Sequence, residues 1–216
     1  MDIMQSFSYP YKSRGFFGKV ATFTILMLIP LVNIFGMFVL MGYAVKVIYA
    51  VSQGDPDLPE IDFGSDAGRG FTVFLAAIVY FLVPTIISTV IQFALEGSAL
   101  MLVALLLIWI VNLLISAIFV VGMVRFGFTG DSSVLFQFSE NFEIATQNPG
   151  YLLKFYVFNF VMSFIIGIGT FIGFMLLIIP GFIVMIAGML SQFHLYSHFG
   201  MELGLAGKMK RKVQEY

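Results

Sequence analysis

The stretch VATFTILMLIPLVNIFGMFVLMGYAVKVIYAV, Val20 to Val51, contains a single charge, Lys46. As one helix it would run roughly 48 Å, against a bilayer hydrocarbon core of about 30 Å. Pro30 lacks an amide proton and clashes with the preceding turn, and Asn33 and Gly36 follow within two turns. Ile29 to Gly36 is therefore the natural corner of a helical hairpin. The competing reading is one long helix, kinked and tilted.

Working outward, three further apolar regions follow: Phe71 to Leu95, Ala99 to about Val124, and Tyr151 to Phe199. The last is long enough for two spans, with a turn between Gly167 and Gly181, where Gly169, Gly173 and Pro180 also cluster. Between Leu95 and Ala99 lies only Glu96-Gly97-Ser98, a tight hairpin. The polar islands are the segment up to Lys19, Ser52 to Gly70, Thr129 to Gly150, and the tail from Glu202. Of the 216 residues, 60% are hydrophobic and 11% charged, which suits a membrane domain and leaves no room for a separate soluble catalytic domain. The first fifteen or so residues are mixed and the apolar run after them is too long for a cleavable signal, so the N-terminus is expected to be retained.

Charge placement chooses between five and six segments. With the first run folded as a hairpin, Lys12, Arg14, Lys19, Lys46, Arg69, Arg125, Lys154, Lys208, Lys210, Arg211 and Lys212 all fall on one side. With a single crossing, the N-terminal and C-terminal basic groups fall on opposite faces, which the positive-inside bias disfavours. The sequence thus predicts six membrane segments with both termini cytoplasmic. Phe16 to Ile29 gives only about 20 Å of helix, the length of a half-span that enters and returns.

Gly42-Tyr43, Lys46, Gly54, Leu58-Pro59, Asp62, Gly64 and Gly70, followed later by Ile179-Pro180-Gly181, resemble a bacterial and archaeal membrane family catalogued as domain of unknown function 4013. The resemblance covers most of the chain and implies a prokaryotic membrane protein. Glu60-Ile61 stands where an aromatic residue is common in that family. The C-terminal part is also similar to membrane domains grouped with glycerophosphodiester phosphodiesterase anchors, which are membrane parts and not catalytic ones. Neither likeness brings an activity with it.

An internal echo suggests a repeat: Leu28-Ile29-Pro30-Leu31 against Ile178-Ile179-Pro180-Gly181, and Leu31-Val32-Asn33 against Ile110-Val111-Asn112. Short apolar motifs also recur by chance in such a composition.

Several residue groups invite a chemical reading, and each has a plainer one. Asp55, Asp57, Glu60, Asp62 and Asp66 gather carboxylates as calcium sites do, yet the central glycine and distal glutamate of a calcium loop are missing. A solvated connector, or an acidic docking surface for a basic partner, fits better. Glu96 suits an ordinary solvated turn more than a proton or cation site. Asn33, Gln92, Asn112, Asn159, Ser163 and Gln192 lie within apolar spans, where interhelical bonding is the default and substrate coordination the alternative. His194 and His198 share a helical face, but no third metal ligand is identifiable near them. Gly169 and Gly173 permit close helix approach. Leu135, Phe138, Phe142 and Ala145 fall on one face of a short helix lying in the cytoplasmic interface, away from Glu140, Glu143 and Gln147. The basic tail would meet anionic headgroups.

With no cysteine, disulfides, thiolate nucleophiles and iron-sulfur clusters are excluded, and a formal net charge of -1 offers no basic face for nucleic acid. No catalytic, cofactor-binding or metal-binding set is legible, and no cofactor is implied. The expectation is an all-α polytopic transmembrane bundle forming one domain over 1–216. Its cytoplasmic parts are loops at about 52–70 and 129–150 and a tail over 202–216. Its expected role is a non-enzymatic scaffold or subunit of a larger cell-membrane assembly, in contact with membrane lipids and with other membrane proteins or further copies of itself. The alternative is a small transporter or channel with a midplane site formed by broken helices.

Overall fold

The computed structural model describes residues 2–205, so the basic cluster Lys208 to Lys212 lies outside the described residues. The described chain is helical, in the order α1 (Ile3–Lys12), α2 (Phe16–Leu28), α3 (Val32–Ser52), α4 (Phe63–Ala94), α5 (Met101–Thr129), a 3-10 helix (Ser132–Phe136), α6 (Phe138–Thr146), α7 (Pro149–Leu176) and α8 (Ile178–Glu202). Five of these, α3, α4, α5, α7 and α8, are long and apolar enough to cross a membrane, and α2 is a shorter apolar helix. The first run is therefore a hairpin with one short arm.

Its corner is Ile29-Pro30-Leu31, tighter than the sequence suggested. Asn33 and Gly36 already belong to α3. Leu31 has φ 70, in a region that disfavours a side chain, because three residues must reverse the chain at a proline. The last two spans form a second hairpin at Leu177, where Gly173 lets the α8 backbone approach: a Cβ there would lie 2.8 Å from the Gly181 Cα. Both Pro30 and Pro180 thus mark hairpin corners. Asn112 sits mid-α5 and shares no such role, which limits the internal echo to those two corners.

The closest crossing is between α3 and α4. A Cβ at Gly42 would overlap the carbonyl of Asp66, and one at Gly70 would overlap the carbonyl of Phe38. Each backbone lies directly against the other, which only glycine at both positions permits. This crossing brings Lys46 and Asp66 to the same level, beside the loop that joins the two helices.

Burial is lopsided. In their most apolar 18-residue stretches, α3 and α8 bury 61% and 50% of residues inside the chain, whereas α4, α5 and α7 bury only 11%, 17% and 11%. The buried residues of α4 end at Tyr80, and those of α5 begin at Ala117. The molecule is a packed base at the end that carries the long loops, from which the α4–α5 hairpin and α7 project with bare apolar faces. Val83, Pro84 and Ile87 of α4 face Leu107, Ile108 and Val111 of α5 across an apolar gap of about 310 Å³, where the internal proline loosens the pair.

If the Gly42–Gly70 contact holds the base together, Gly42→Ala should destabilise by about 3 kcal/mol or more, lowering the melting temperature in detergent by roughly 10 °C. Gly18→Ala, in a helix where an added Cβ meets nothing within 4 Å, should instead raise it slightly, by about 1 kcal/mol of helix propensity. Equal effects at the two sites, read by fluorescence-detected melting, would remove the crossing from its central place.

Candidate functional site

The polar groups of the described chain gather at the loop end in three adjoining clusters. In the first, the Asp66 carboxylate is wholly buried, yet it accepts from Lys46 Nζ at 3.2 Å, Arg69 Nη1 at 3.0 Å and the backbone N–H of Asp62 at 2.9 Å. A carboxylate removed from water needs such partners, and here two cations and an amide supply them. Asp62 in turn caps α4, accepting from the Ser65 amide at 3.1 Å.

The α3–α4 connector is strapped to this cluster. Lys19 is buried and places its ammonium within 2.9 Å of the Leu58 carbonyl, 3.1 Å of Glu60 Oε1 and 3.4 Å of the Arg14 carbonyl. Tyr43 donates to the Pro59 carbonyl at 2.7 Å, and Lys46 donates to the Glu60 carbonyl. Ser13 accepts from the Leu58 amide at 2.5 Å, and Asp57 Oδ1 accepts from the Arg14 amide at 2.7 Å. The connector read from the sequence as solvated is largely exposed and is also tied down at several points. Asp55, Glu60 and Asp62 are exposed, but Asp57 is half-buried and Asp66 wholly so, and all but Asp55 bond to partners beyond the connector's own turn or cap a helix.

In the second cluster, Arg125 near the end of α5 is buried and spreads its guanidinium over Asn141 Oδ1 at 2.6 Å, Gln137 Oε1 at 2.7 Å and Glu140 Oε2 at 2.7 Å. Asn141 passes the connection on, donating to Tyr80 Oη at 3.1 Å and the Val134 carbonyl at 2.9 Å, while Tyr80 donates to the Leu135 carbonyl at 3.0 Å. The face of α6 that meets the protein is accordingly Asn141, Ile144 and Ala145. Phe142 is 46% exposed, and Phe138 is 43% exposed with its ring 4.7 Å from that of Tyr80, while Leu135 and Ala145 of the same apolar stripe are buried. Asp131 caps the 3-10 helix, and the amide and hydroxyl of Ser133, at 2.9 and 2.8 Å, hold its carboxyl below the usual carboxylate range.

The third cluster joins the first and last described helices, α1 and α8. His194 Nδ1 lies 2.9 Å from Ser6 Oγ, and its ring packs 4.5 Å from both Tyr9 and His198. Tyr9 donates to the Asp57 carbonyl at 3.1 Å. Burial first, and then the charges of Asp55 and Asp57, push its phenol well above the ordinary range, so it remains a donor. The histidines therefore serve to seat α1 against α8. Among the described residues no group of three or more histidines and carboxylates is placed to hold a metal ion.

The amides of the spans do not converge. Gln192 donates to Ser163 at 2.8 Å, joining α7 and α8, and Asn112 donates to its own helix at Ile108. Asn159 Oδ1 is buried without a hydrogen-bond partner, and Asn33 and Gln92 sit at the outer ends of α3 and α4. Glu96 is exposed in the hairpin turn beside Gly97 at φ 76, and Gly169 faces Val184 of α8. The Arg125–Asn141 network was missed in the sequence. The available signal was an arginine with apolar neighbours on both sides, which requires a partner, next to an island rich in amides and carboxylates.

The family model described as "Protein of unknown function (DUF4013)" matches residues 25–191. The chain belongs to that family. Its matched span takes in the Lys46–Asp66–Arg69 cluster and the Arg125 network, while α1 and His194 lie beyond it. Among curated proteins and among solved structures there is no match.

Removing the charge of Asp66 with Asp66→Asn should cost about 2 kcal/mol, less than the ~3–5 for a fully buried pair because Lys46 and Arg69 both reach water. Arg125→Ala should cost about 3 kcal/mol, since three acceptors lose a charged donor. Arg125→Lys should restore less than half, because an ammonium cannot span Asn141 and Gln137 as the planar guanidinium does. Melting temperatures of the three variants in one detergent would check the order, and full recovery by lysine would contradict it.

Proposed function

We propose that this membrane protein is a non-enzymatic, lipid-embedded scaffold or subunit of a larger assembly in the cell membrane. The observation that carries the reading is the contrast between a tightly bonded base and the α4, α5 and α7 arms, which bury only 11–17% of their apolar stretches within the chain. Lipid tails and neighbouring membrane helices are the natural cover for such arms. Its partners are membrane lipids and other membrane proteins or further copies of the chain, with no role for nucleic acid. The basic residues Lys12, Arg14, Lys19, Lys46, Arg69, Arg125 and Lys154 at the loop end support a cytoplasmic location for that end and for both termini.

The alternative, a small transporter or channel, draws support from two buried oxygens of α7 that lack a hydrogen-bond partner, Asn159 Oδ1 and Thr170 Oγ1. Transport needs a polar path, and the other amides are bonded within or between neighbouring helices or lie at helix ends.

Native mass spectrometry of the protein released by mild detergent from its own membrane separates these readings. The expected result is a complex of fixed stoichiometry heavier than the single chain, and a lone chain would count against the assembly reading. A cysteine placed at Asn159 should resist small water-soluble thiol reagents in intact membranes; ready modification would favour transport instead.

A further inference from the structure

A cavity of about 710 Å³ opens between α3, α4 and the end of α5, at the level of the Asp66 cluster. Lys46 and Arg69 line it together with the hydroxyls of Ser65 and Ser132, and Tyr49 and Phe128 supply an apolar border. Asp66 neutralises one of the two cations, which leaves one positive charge in surplus. Lys46 uses two of its three N–H donors on Glu60 and Asp66, and Arg69 one of its five on Asp66. The remaining donors, a guanidinium edge foremost, have no protein acceptor among the described residues.

The carbonyls at the end of α5, which would repel an anion, are partly occupied: Thr129 Oγ1 donates to the Arg125 carbonyl at 2.7 Å and the Gly130 amide to the Phe126 carbonyl at 2.8 Å. The cavity also sits where the spans meet the loop layer, the depth of a lipid headgroup. A singly charged, multiply accepting group with oxygens spaced for a guanidinium fork matches this surplus of charge and donors.

We propose that this cavity is a binding site for a phosphate group, held by Arg69 and Lys46 and supplied either by a phospholipid headgroup or by free phosphate. Asp66 acts here as a positioning residue: it fixes both cations and lowers their combined charge to that of a phosphodiester's counterpart.

The test uses the full chain in detergent micelles doped with dioleoylphosphatidylglycerol, with dioleoylglycerol, or with millimolar inorganic phosphate, reading retained ligand by native mass spectrometry and protection by melting temperature. Phosphatidylglycerol is expected to be retained about tenfold better than the diacylglycerol that lacks the phosphate, and Arg69→Gln should reduce that by about tenfold. Because Arg69→Gln also loosens Asp66, the decisive variant is Gly68→Leu. Gly68 lines the cavity and an added Cβ there meets nothing within 4 Å, so leucine fills the space and leaves every charge in place. Gly68→Leu should melt no lower than the wild type, replacing a helix-interior glycine, and lose the preference. Protection by phosphatidylglycerol alone identifies a headgroup, and equal protection by inorganic phosphate identifies the free ion; both support the site. Undiminished binding in Gly68→Leu, or no preference for either phosphate source, overturns it.

Discussion

A carboxylate with no exposed surface, held between two cations where two helix backbones touch, is the constraint on which this structure depends. Asp66 reaches its position because α3 and α4 cross at Gly42 and Gly70, and the crossing in turn places Lys46 within 3.2 Å of it. Either half without the other would be unfavourable. Backbone contact gains little in lipid unless something fixes its register, and a buried carboxylate without cations would be an uncompensated charge. Once both are present, the connector between the helices has only one short path, and Tyr43, Lys46 and Lys19 catch its carbonyls as it passes.

The same logic explains the difference between the base and the arms. Within hydrocarbon, lipid tails solvate leucine and phenylalanine as well as another helix does, so apolar faces by themselves give no reason to associate. The base coheres because it contains bonds that lipid cannot replace: Lys19 to the connector, Arg125 to Asn141, His194 to Ser6. Beyond Tyr80 on α4 such groups run out, and on α5 the last are Ser116 and the Leu113 carbonyl, which meet the Tyr156 hydroxyl of α7; burial thins at the same level. Specific packing follows the polar groups, the reverse of the order in a soluble core.

How much of this was readable in the sequence depended on whether a local rule acted. Pro30 in an overlong apolar run was decisive for the first hairpin, and the glycines around Gly173 and Gly181 for the last, because a missing amide and a missing Cβ act within a turn of the chain. The fate of the acids was not readable. Asp55 and Asp66 look alike in sequence, yet one is exposed and the other wholly buried, a difference set by a crossing partner far along the chain. The apolar periodicity of α6 singled out Phe138 and Phe142, whereas the contact with the rest of the protein centres on Asn141, an amide that no hydrophobic period marks.

The residues that carried the family resemblance fall largely on one structural element. Gly42 and Gly70 make the crossing, Tyr43 and Lys46 catch the connector, Pro59 supplies a carbonyl to it, and Asp62 caps α4 while donating its amide to Asp66. Each has a structural role that accounts for its chemistry, and among their side chains only Lys46 keeps an unused donor. Arg69 stands apart. It is 38% exposed, makes one bond with a side chain capable of five, and faces an open cavity. For neutralising Asp66 a second lysine would serve as well as this arginine. A planar fork at that position gains an advantage only when something with paired oxygens meets its free edge.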